Sequence, residues 1–144
     1  SSTRIREAIA AGRLDAVNQM LGRPYSLAGQ VVEGDKLGRQ LGFPTANLDV
    51  EELILPPSGV YAVHAQVENR TFRAVLNIGH RPTLQNPQPQ LRVEAHLLDF
   101  SGDLYGKQIE LTFVGKLRDE QRFPSIDALK QQIAADIESA LRLF

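Results

Sequence analysis

The stretch GVYAVHAQVENRTFRAVLNI at residues 59–78 decides the class of fold, because two β-like runs flank a turn signal in it. Side chains of the first run alternate in two sets, which begin at Val60 and Tyr61 and would face opposite sides of a strand. Asn tolerates the left-handed backbone of a tight turn, so we predict a hairpin that turns at Asn69-Arg70. The stretch therefore indicates antiparallel β-structure.

Similar runs, rich in β-branched and aromatic residues, lie on both sides of this hairpin. With it they give predicted strands at 25–33, 59–68, 71–78, 91–100 and 107–114. No pattern long enough for a crossover helix separates them, which argues against βαβ units and for an antiparallel barrel or sandwich. We predict a helical leader, a barrel of five or six strands and a C-terminal helix.

Helical periodicity is confined to the two ends of the chain. Two short helical pieces come first and stop at Gly12 and Gly22, as helices often do at glycine. Each is too short to be stable alone, so we expect both to pack on the main body or on a neighbouring domain. Near the other end, Ser125 starts a longer helix, whose apolar residues recur at helical spacing: Ile126, Leu129, Ile133, Ile137 and Leu141.

The composition is that of an ordinary globular domain of 144 residues, with a net charge of −1. This charge disfavours a non-specific nucleic-acid binder, and aromatic residues at 6% without tryptophan disfavour a platform for base stacking. Because the chain contains no cysteine, disulfides, thiolate nucleophiles and zinc–thiolate sites are excluded. No apolar run reaches the length of a membrane span, and the first residues do not resemble a signal peptide. We expect a cytoplasmic protein without a membrane partner.

A glycine-rich segment with two cations, GDKLGRQLG at 34–42, is the first candidate for chemistry. Backbone N–H groups of such a loop can approach a phosphate, but a mobile surface turn has the same composition, and the P-loop pattern is absent. Thr45 and Asn47 follow and would face the same way in an extended chain. Their oxygens suit Mg²⁺, although both residue types also close turns. The residues alone leave both interpretations open.

The predicted strand at 91–100 is the second candidate, because Arg92, Glu94 and His96 share its polar face. A carboxylate on a barrel strand can act as a general base. It can equally belong to an exposed polar face on which Arg92 pairs with Glu94. The three histidines of the chain have no metal-binding spacing, and we interpret all three as structural or exposed.

Six sequence words occur along the chain in this order: GRQLGFPTANL at 38–48, LPPSGVYAV at 55–63, NIGHRPT at 77–83, VEAHLLDF at 93–100, DLYGK at 103–107 and KLRDEQRF at 116–123. Together they resemble the riboflavin kinase module of bacterial bifunctional FAD synthetases. The resemblance covers nearly the whole chain from Leu21 to Phe144, and the first and fourth words are the specific ones.

The resemblance implies a fold and a reaction. The implied fold is mostly β, a six-stranded antiparallel Greek-key barrel with a C-terminal helix, which agrees with the strands and helices expected above. The implied enzyme is an ATP:riboflavin 5′-phosphotransferase. It converts riboflavin and ATP to FMN and ADP, with Mg²⁺ as cofactor and ATP as co-substrate.

The resemblance also implies roles for residues in the matching words. Glu94 corresponds to the catalytic base, and Thr45 and Asn47 would bind Mg²⁺ and, with Pro44, the nucleotide. The remaining ATP contacts would be a flap and the edge of the adenine pocket: Gly34, Gly38, Arg39, Tyr105 and Gly106. The flavin side would include Asn77, Arg118 and Phe123.

The first residues, SSTRIR at 1–6, resemble the closing word of the family's other half, an FMN adenylyltransferase. That half needs an H-x-G-H motif, which the chain lacks. We therefore expect a C-terminal fragment with a linker at 1–22 and a riboflavin kinase domain at 23–144, which makes FMN but not FAD. The alternative is a non-catalytic module that binds flavin or nucleotide and supports the missing half. An oligonucleotide-binding barrel and a kinase with another acceptor are further alternatives.

Overall fold

The structure is a computed structural model that describes residues 2–33, 41–49, 54–81 and 90–144. In this part of the chain, helices α1 (Ser2–Ala10) and α2 (Leu14–Leu21) precede the strands, and helix α3 (Ile126–Leu143) follows them. The strands are β1 (Ser26–Val32), β2 (Ala46–Leu48), β3 (Gly59–Val67), β4 (Arg70–Arg81), β5 (Gln90–Leu97) and β6 (Gln108–Arg118).

The six strands close into a barrel in the order β1-β2-β5-β4-β3-β6, and β1 pairs with β6 to complete it. Every pair is antiparallel, which confirms the predicted six-stranded antiparallel barrel. Strand β2 was not among the predicted strands, because three residues are too few to show an alternation. Strand β6 runs four residues beyond its predicted end at 114, whereas β5 stops at Leu97 instead of 100.

The hairpin between β3 and β4 turns one residue earlier than predicted. Val67 pairs with Arg70, so the two loop residues are Glu68 and Asn69, with φ angles of 49° and 69°. A two-residue loop with positive φ at both positions matches the twist of antiparallel strands. The predicted turn at Asn69-Arg70 was wrong because Glu68, a residue type that does not favour this backbone, adopts it here.

Alternate residues of the strands form two separate apolar clusters. The inner cluster fills the barrel, where the Tyr61 ring meets the Phe113 ring edge-on at 5.2 Å. The outer cluster joins Val60, Ala62 and Val75 to Ala140 of α3. Helix α3 therefore lies on the outside of the barrel over β3, β4 and β6, and strand β3 is buried on both faces.

The leader packs on the main body, which was one of the two expected partners. Ala8, Ile9 and Val17 belong to the same cluster as the barrel interior, and Ala8 and Val17 are fully buried. The side-chain oxygen of Asn18 also accepts a hydrogen bond of 2.8 Å from the backbone N–H of Tyr25, just before β1. Helices α1 and α2 are therefore part of the folded unit.

The start of α3 agrees with the sequence prediction. Ser125 has extended backbone, and its hydroxyl oxygen accepts a hydrogen bond of 3.1 Å from the backbone N–H of Ala128. Asp127 lies in the first turn, where a negative charge is favourable. This N-cap fixes the point at which the chain leaves the segment at 118–123 and enters the helix.

Candidate active site

A row of polar side chains crosses the outer face of the barrel. Asn47 of β2 pairs with Glu94 of β5, which pairs on its other side with Asn77 of β4. Residues directly opposite each other project to the same side of a sheet, so these three side chains are neighbours. The same register continues through Val60 of β3 to Arg118 of β6. The fold thus brings together four predicted site residues from four strands.

Glu94 is buried although it points away from the barrel interior. Only 7% of the residue is exposed, and its neighbours Val93 and Ala95 belong to the inner core. Glutamate is almost never fully buried unless it is paired or used. Of the two interpretations that the sequence left open, burial contradicts the exposed polar face and favours a functional carboxylate.

Two cavities lie on either side of Thr45, which lines both of them. The larger has a volume of about 780 Å³ and includes Glu94 in its wall. The smaller has a volume of about 420 Å³ and includes Asn47. Because Asn47 and Glu94 are direct cross-strand neighbours, the two cavities adjoin where the polar row begins.

The larger cavity lies between the outer face of the barrel and a cover made of α3 and the segment at 118–123. The Arg118 guanidinium stands 5.6 Å from the centre of the Phe123 ring. The three residues that the resemblance assigns to flavin all line it: Asn77, Arg118 and Phe123. Apolar side chains of α3 supply much of the remaining wall. Such a wall with a few polar groups is typical of a site for an aromatic ring system.

The smaller cavity is bounded by β1, β2, the end of β5 and the turn that follows it. Four of the predicted ATP-binding residues line it: Pro44, Thr45, Asn47 and Tyr105. Tyr105 is 60% exposed, and its backbone N–H donates a 2.8 Å hydrogen bond to the Asp103 carboxylate. Gly106 instead bonds to β1, where its N–H donates to the Val31 carbonyl at 2.9 Å. The turn is therefore anchored while the Tyr105 ring stays accessible.

Thr45 and Asn47 fit a magnesium ion through the chemistry of their donor atoms. Both residues are half-buried and line the smaller cavity, and both offer neutral oxygen atoms. Among the described residues, no three His, Cys, Asp or Glu side chains cluster closely enough to hold a metal ion. Mg²⁺ is usually bound through one or two protein groups together with substrate phosphates and water. Two oxygen donors beside a cavity suit that mode of binding.

His96 fixes the chain just before Thr45. Its Nδ1 atom lies 2.7 Å from the carbonyl oxygen of Pro44, and because a carbonyl only accepts, Nδ1 carries the proton. The ring of Phe43 meets the imidazole edge-on at 5.8 Å. The segment that leads into β2 is therefore held against β5, which agrees with the structural role expected for this histidine.

Sequence reasoning missed Asp136. This carboxylate is 5% exposed on α3 and binds Arg118 at the wall of the larger cavity. The sequence did contain a sign of this residue, because Asp136 is a charged residue within the apolar stripe between Ile133 and Ile137. Only the fold reveals that the stripe faces Arg118.

Three other predictions cannot be compared with the structure. Gly34, Gly38 and Arg39, the residues expected in a flap over ATP, lie outside the described residues. Their role stays a prediction from the sequence.

The sequence of the chain matches that of known proteins. A family model described as "Flavokinase: Riboflavin kinase" matches residues 21–144. The bifunctional riboflavin kinase/FMN adenylyltransferase of Pseudomonas fluorescens is 46% identical over 143 residues, which cover 99% of this chain and 46% of that protein. The chain thus spans less than half the length of the curated relatives that it matches.

Two solved structures resemble the fold. The riboflavin kinase from Trypanosoma brucei has a TM-score of 0.60 and 27% identity, covering 83% of this chain and 76% of that one. A Streptococcus pneumoniae chain described as a macrolide-efflux protein has a TM-score of 0.86 and 35% identity, covering 98% of this chain and 46% of that one. Within the described ranges, no helix of the present chain is long and apolar enough to cross a membrane.

Proposed function

The chain belongs to the riboflavin kinase family, and on this basis we propose that it transfers the γ-phosphoryl group of ATP to the 5′-hydroxyl of riboflavin. The flavin oxygen forms a bond to phosphorus, the bond between that phosphorus and the departing ADP oxygen breaks, and the hydroxyl proton goes to Glu94. The observation that carries the proposal is the position of Glu94, which is buried in the wall of one cavity and adjoins Asn47 of the other.

The larger cavity is the proposed flavin site. An apolar wall can cover the isoalloxazine rings, while Asn77 and Arg118 supply a few hydrogen-bonding groups. The Phe123 ring beside Arg118 adds a flat apolar surface. Glu94 lies in the same wall, so a flavin bound here can present its ribityl chain to the carboxylate.

The smaller cavity is the proposed ATP site. Its residues Pro44, Thr45 and Asn47 lie beside the polar row, and Tyr105 lies at its exposed edge. An accessible aromatic ring can stack on a nucleobase, which supports the adenine end there. The terminal phosphate would then lie toward Thr45, the residue shared with the flavin cavity.

Glu94 is the proposed general base. Phosphoryl transfer has a loose transition state, so that positioning and charge neutralisation dominate its catalysis. Glu94 orients the attacking hydroxyl and accepts its proton as the new bond forms. Asn47 and Asn77 flank it on the two adjacent strands and bring no negative charge that would compete for the proton.

Thr45 and Asn47 would hold Mg²⁺ through their side-chain oxygens. The ion supplies neutralisation of charge on the phosphate oxygens. The chain's own residues do the rest: His96 holds the backbone before Thr45, and strand pairing with Glu94 fixes Asn47. Magnesium dependence is therefore part of the proposal.

We also propose the domain division expected from the sequence, with a kinase domain at 23–144 preceded by a helical linker at 1–22, and the linker packs against the kinase domain through Ala8, Ile9 and Val17. The family match begins at residue 21, which supports it. The named relatives also carry an FMN adenylyltransferase activity, and we propose such a module as the partner of this domain. The expected cytoplasmic location stays a prediction.

One experiment tests the proposed reaction. The purified chain is incubated with riboflavin, ATP and Mg²⁺, and the flavins are separated by chromatography with fluorescence detection. FMN without FAD is the expected result. Riboflavin binding without FMN formation would instead favour the non-catalytic module, and formation of FAD would contradict the proposed division of activities.

A further inference from the structure

Arg118 is held by a buried carboxylate of α3, and both residues line the larger cavity. Its Nε donates a hydrogen bond of 2.8 Å to one oxygen of Asp136, and its Nη2 donates one of 2.9 Å to the other. Gln132, one turn earlier on α3, donates a third hydrogen bond of 2.9 Å to Asp136. The carboxylate is thus fixed by three hydrogen bonds and is 5% exposed.

The remaining contacts of Arg118 define what the guanidinium can still do. Its Nη1 donates to the carbonyl of Asp119 at 3.1 Å, so the three nitrogens each have one acceptor. A guanidinium has five N–H bonds, which leaves two for a ligand. Arg118 and Asp136 both line the larger cavity, and neither lines the smaller one.

We propose that Asp136 is a positioning residue for flavin binding, which acts through Arg118. A free arginine side chain would lose much rotamer freedom on binding a ligand. The bidentate pair fixes the planar group beforehand and neutralises its charge beside an apolar wall. This inference rests on the proposed function, since it takes the larger cavity as the flavin site.

Stability alone does not account for the pair. Replacing a buried ion pair by apolar residues of similar volume is often neutral or stabilising, and two apolar side chains of α3, Ile133 and Ile137, line the cavity wall together with Asp136. The place of the pair in the cavity wall points to ligand binding instead.

The test is the Asp136→Asn variant, with Glu138→Gln as the matched control on an exposed position of the same helix. We expect the KM for riboflavin to rise roughly tenfold or more, because a charge-assisted hydrogen bond is lost. The KM for ATP and kcat should stay close to those of the wild type, and the control should change none of the three values.

A double-mutant cycle separates positioning from general packing. If Asp136 acts through Arg118, Asp136→Asn should add little to the riboflavin KM in an Arg118→Met background. An unchanged riboflavin KM in the single variant would overturn the inference, and so would an equal rise in both backgrounds.

A second variant keeps the inference testable if Asp136→Asn does not fold. Gln132→Met removes one hydrogen bond to Asp136 but leaves the negative charge of Asp136 in place. This variant should raise the riboflavin KM by a smaller factor than Asp136→Asn does, with the ATP KM unchanged. No rise would contradict the inference. Absence of FMN with the wild-type chain would refute the proposed function, which is a different result from an active wild type whose variants bind riboflavin normally.

Discussion

The inner wall of the barrel and its outer face beneath α3 are built from alternate residues of the same strands, yet they serve different ends. In β5, Val93 and Ala95 point inward to the core, while Glu94 between them points outward to the cavity. The strand period of two makes this division possible. A shift of one residue would bury the carboxylate in the core and expose the apolar side chains. The packing of the core therefore sets the register of the strands and with it the position of the polar row.

The largest expected effect belongs to the outer face. Glu94→Gln keeps the shape of the side chain but removes the proton acceptor, so kcat should fall by about 10²–10⁴-fold. Riboflavin binding, measured by quenching of its fluorescence, should change little. Glu110→Gln, at an exposed position on β6, is the control and should keep its kcat. A Glu94→Gln variant with normal turnover would end the assignment of the base.

A substitution in the inner wall should lower the stability of the protein rather than its catalytic rate. Leu76 is fully buried, and Leu76→Ala should lower the free energy of unfolding by about 2–5 kcal/mol, as measured by urea denaturation. The folded fraction should keep a near-normal KM for riboflavin, because the larger cavity lies on the outer face. Leu91→Ala, at a 38% exposed position, should cost far less stability. A large change of the riboflavin KM in the folded Leu76→Ala protein would contradict the separate roles of the inner wall and the outer face.

The two cavities should separate by substrate. Thr45→Ala and Asn47→Ala each remove one oxygen donor, and we expect the apparent affinity for MgATP to fall by roughly tenfold. A higher Mg²⁺ concentration should be needed for half-maximal rate. Asn77 lines the larger cavity, so Asn77→Ala should mainly raise the riboflavin KM. Normal magnesium dependence in both the Thr45 and Asn47 variants would count against them as ligands.

The smallest effect concerns two tyrosines that extend from the core to nearby loops. The Tyr25 hydroxyl donates to the Ile54 carbonyl at 2.7 Å, and the Tyr61 hydroxyl donates to the Pro57 carbonyl at 2.6 Å. Burial raises the pKa of both to about 12, and Asp119 adds to the shift at Tyr61. Their contribution to stability is complete below pH 10, the ordinary pKa, and is lost as the pH rises toward 12.

Alkaline titration of tyrosinate absorbance checks this expectation. Two groups should ionise near pH 12, together with a loss of thermal stability between pH 10 and 12. Tyr25→Phe and Tyr61→Phe should each remove one of these late transitions. Half-ionisation of Tyr25 and Tyr61 already near pH 10 in the folded protein would contradict their burial.

The sequence was sufficient for what depends on local pattern. The alternation in β3 predicted its two faces, and Ser125 predicted the start of α3. Local sequence patterns did not predict the features that depend on distant parts of the chain. Strand β2 has three residues and is defined by its partners β1 and β5, and the turn at Glu68 is set by strand register.

The candidate site divides in the same way. Residue chemistry made Thr45, Asn47 and Glu94 candidates, and the resemblance to a family gave them roles. The structure brings them together at the junction of two cavities. Asp136 has no such word around it. Its importance comes from the crossing of α3 over the end of β6, a contact that helical periodicity alone does not predict.

Closure of the barrel by β1 and β6 also sets the order of events during synthesis. Ser26 of the first strand must find Thr112 of the last strand, and such distant pairings make folding slow. Arg118 and Asp136 follow still later in the chain. The larger cavity is therefore completed last, and a nascent chain that stalls before α3 exposes the apolar outer face of the barrel, a surface prone to aggregation.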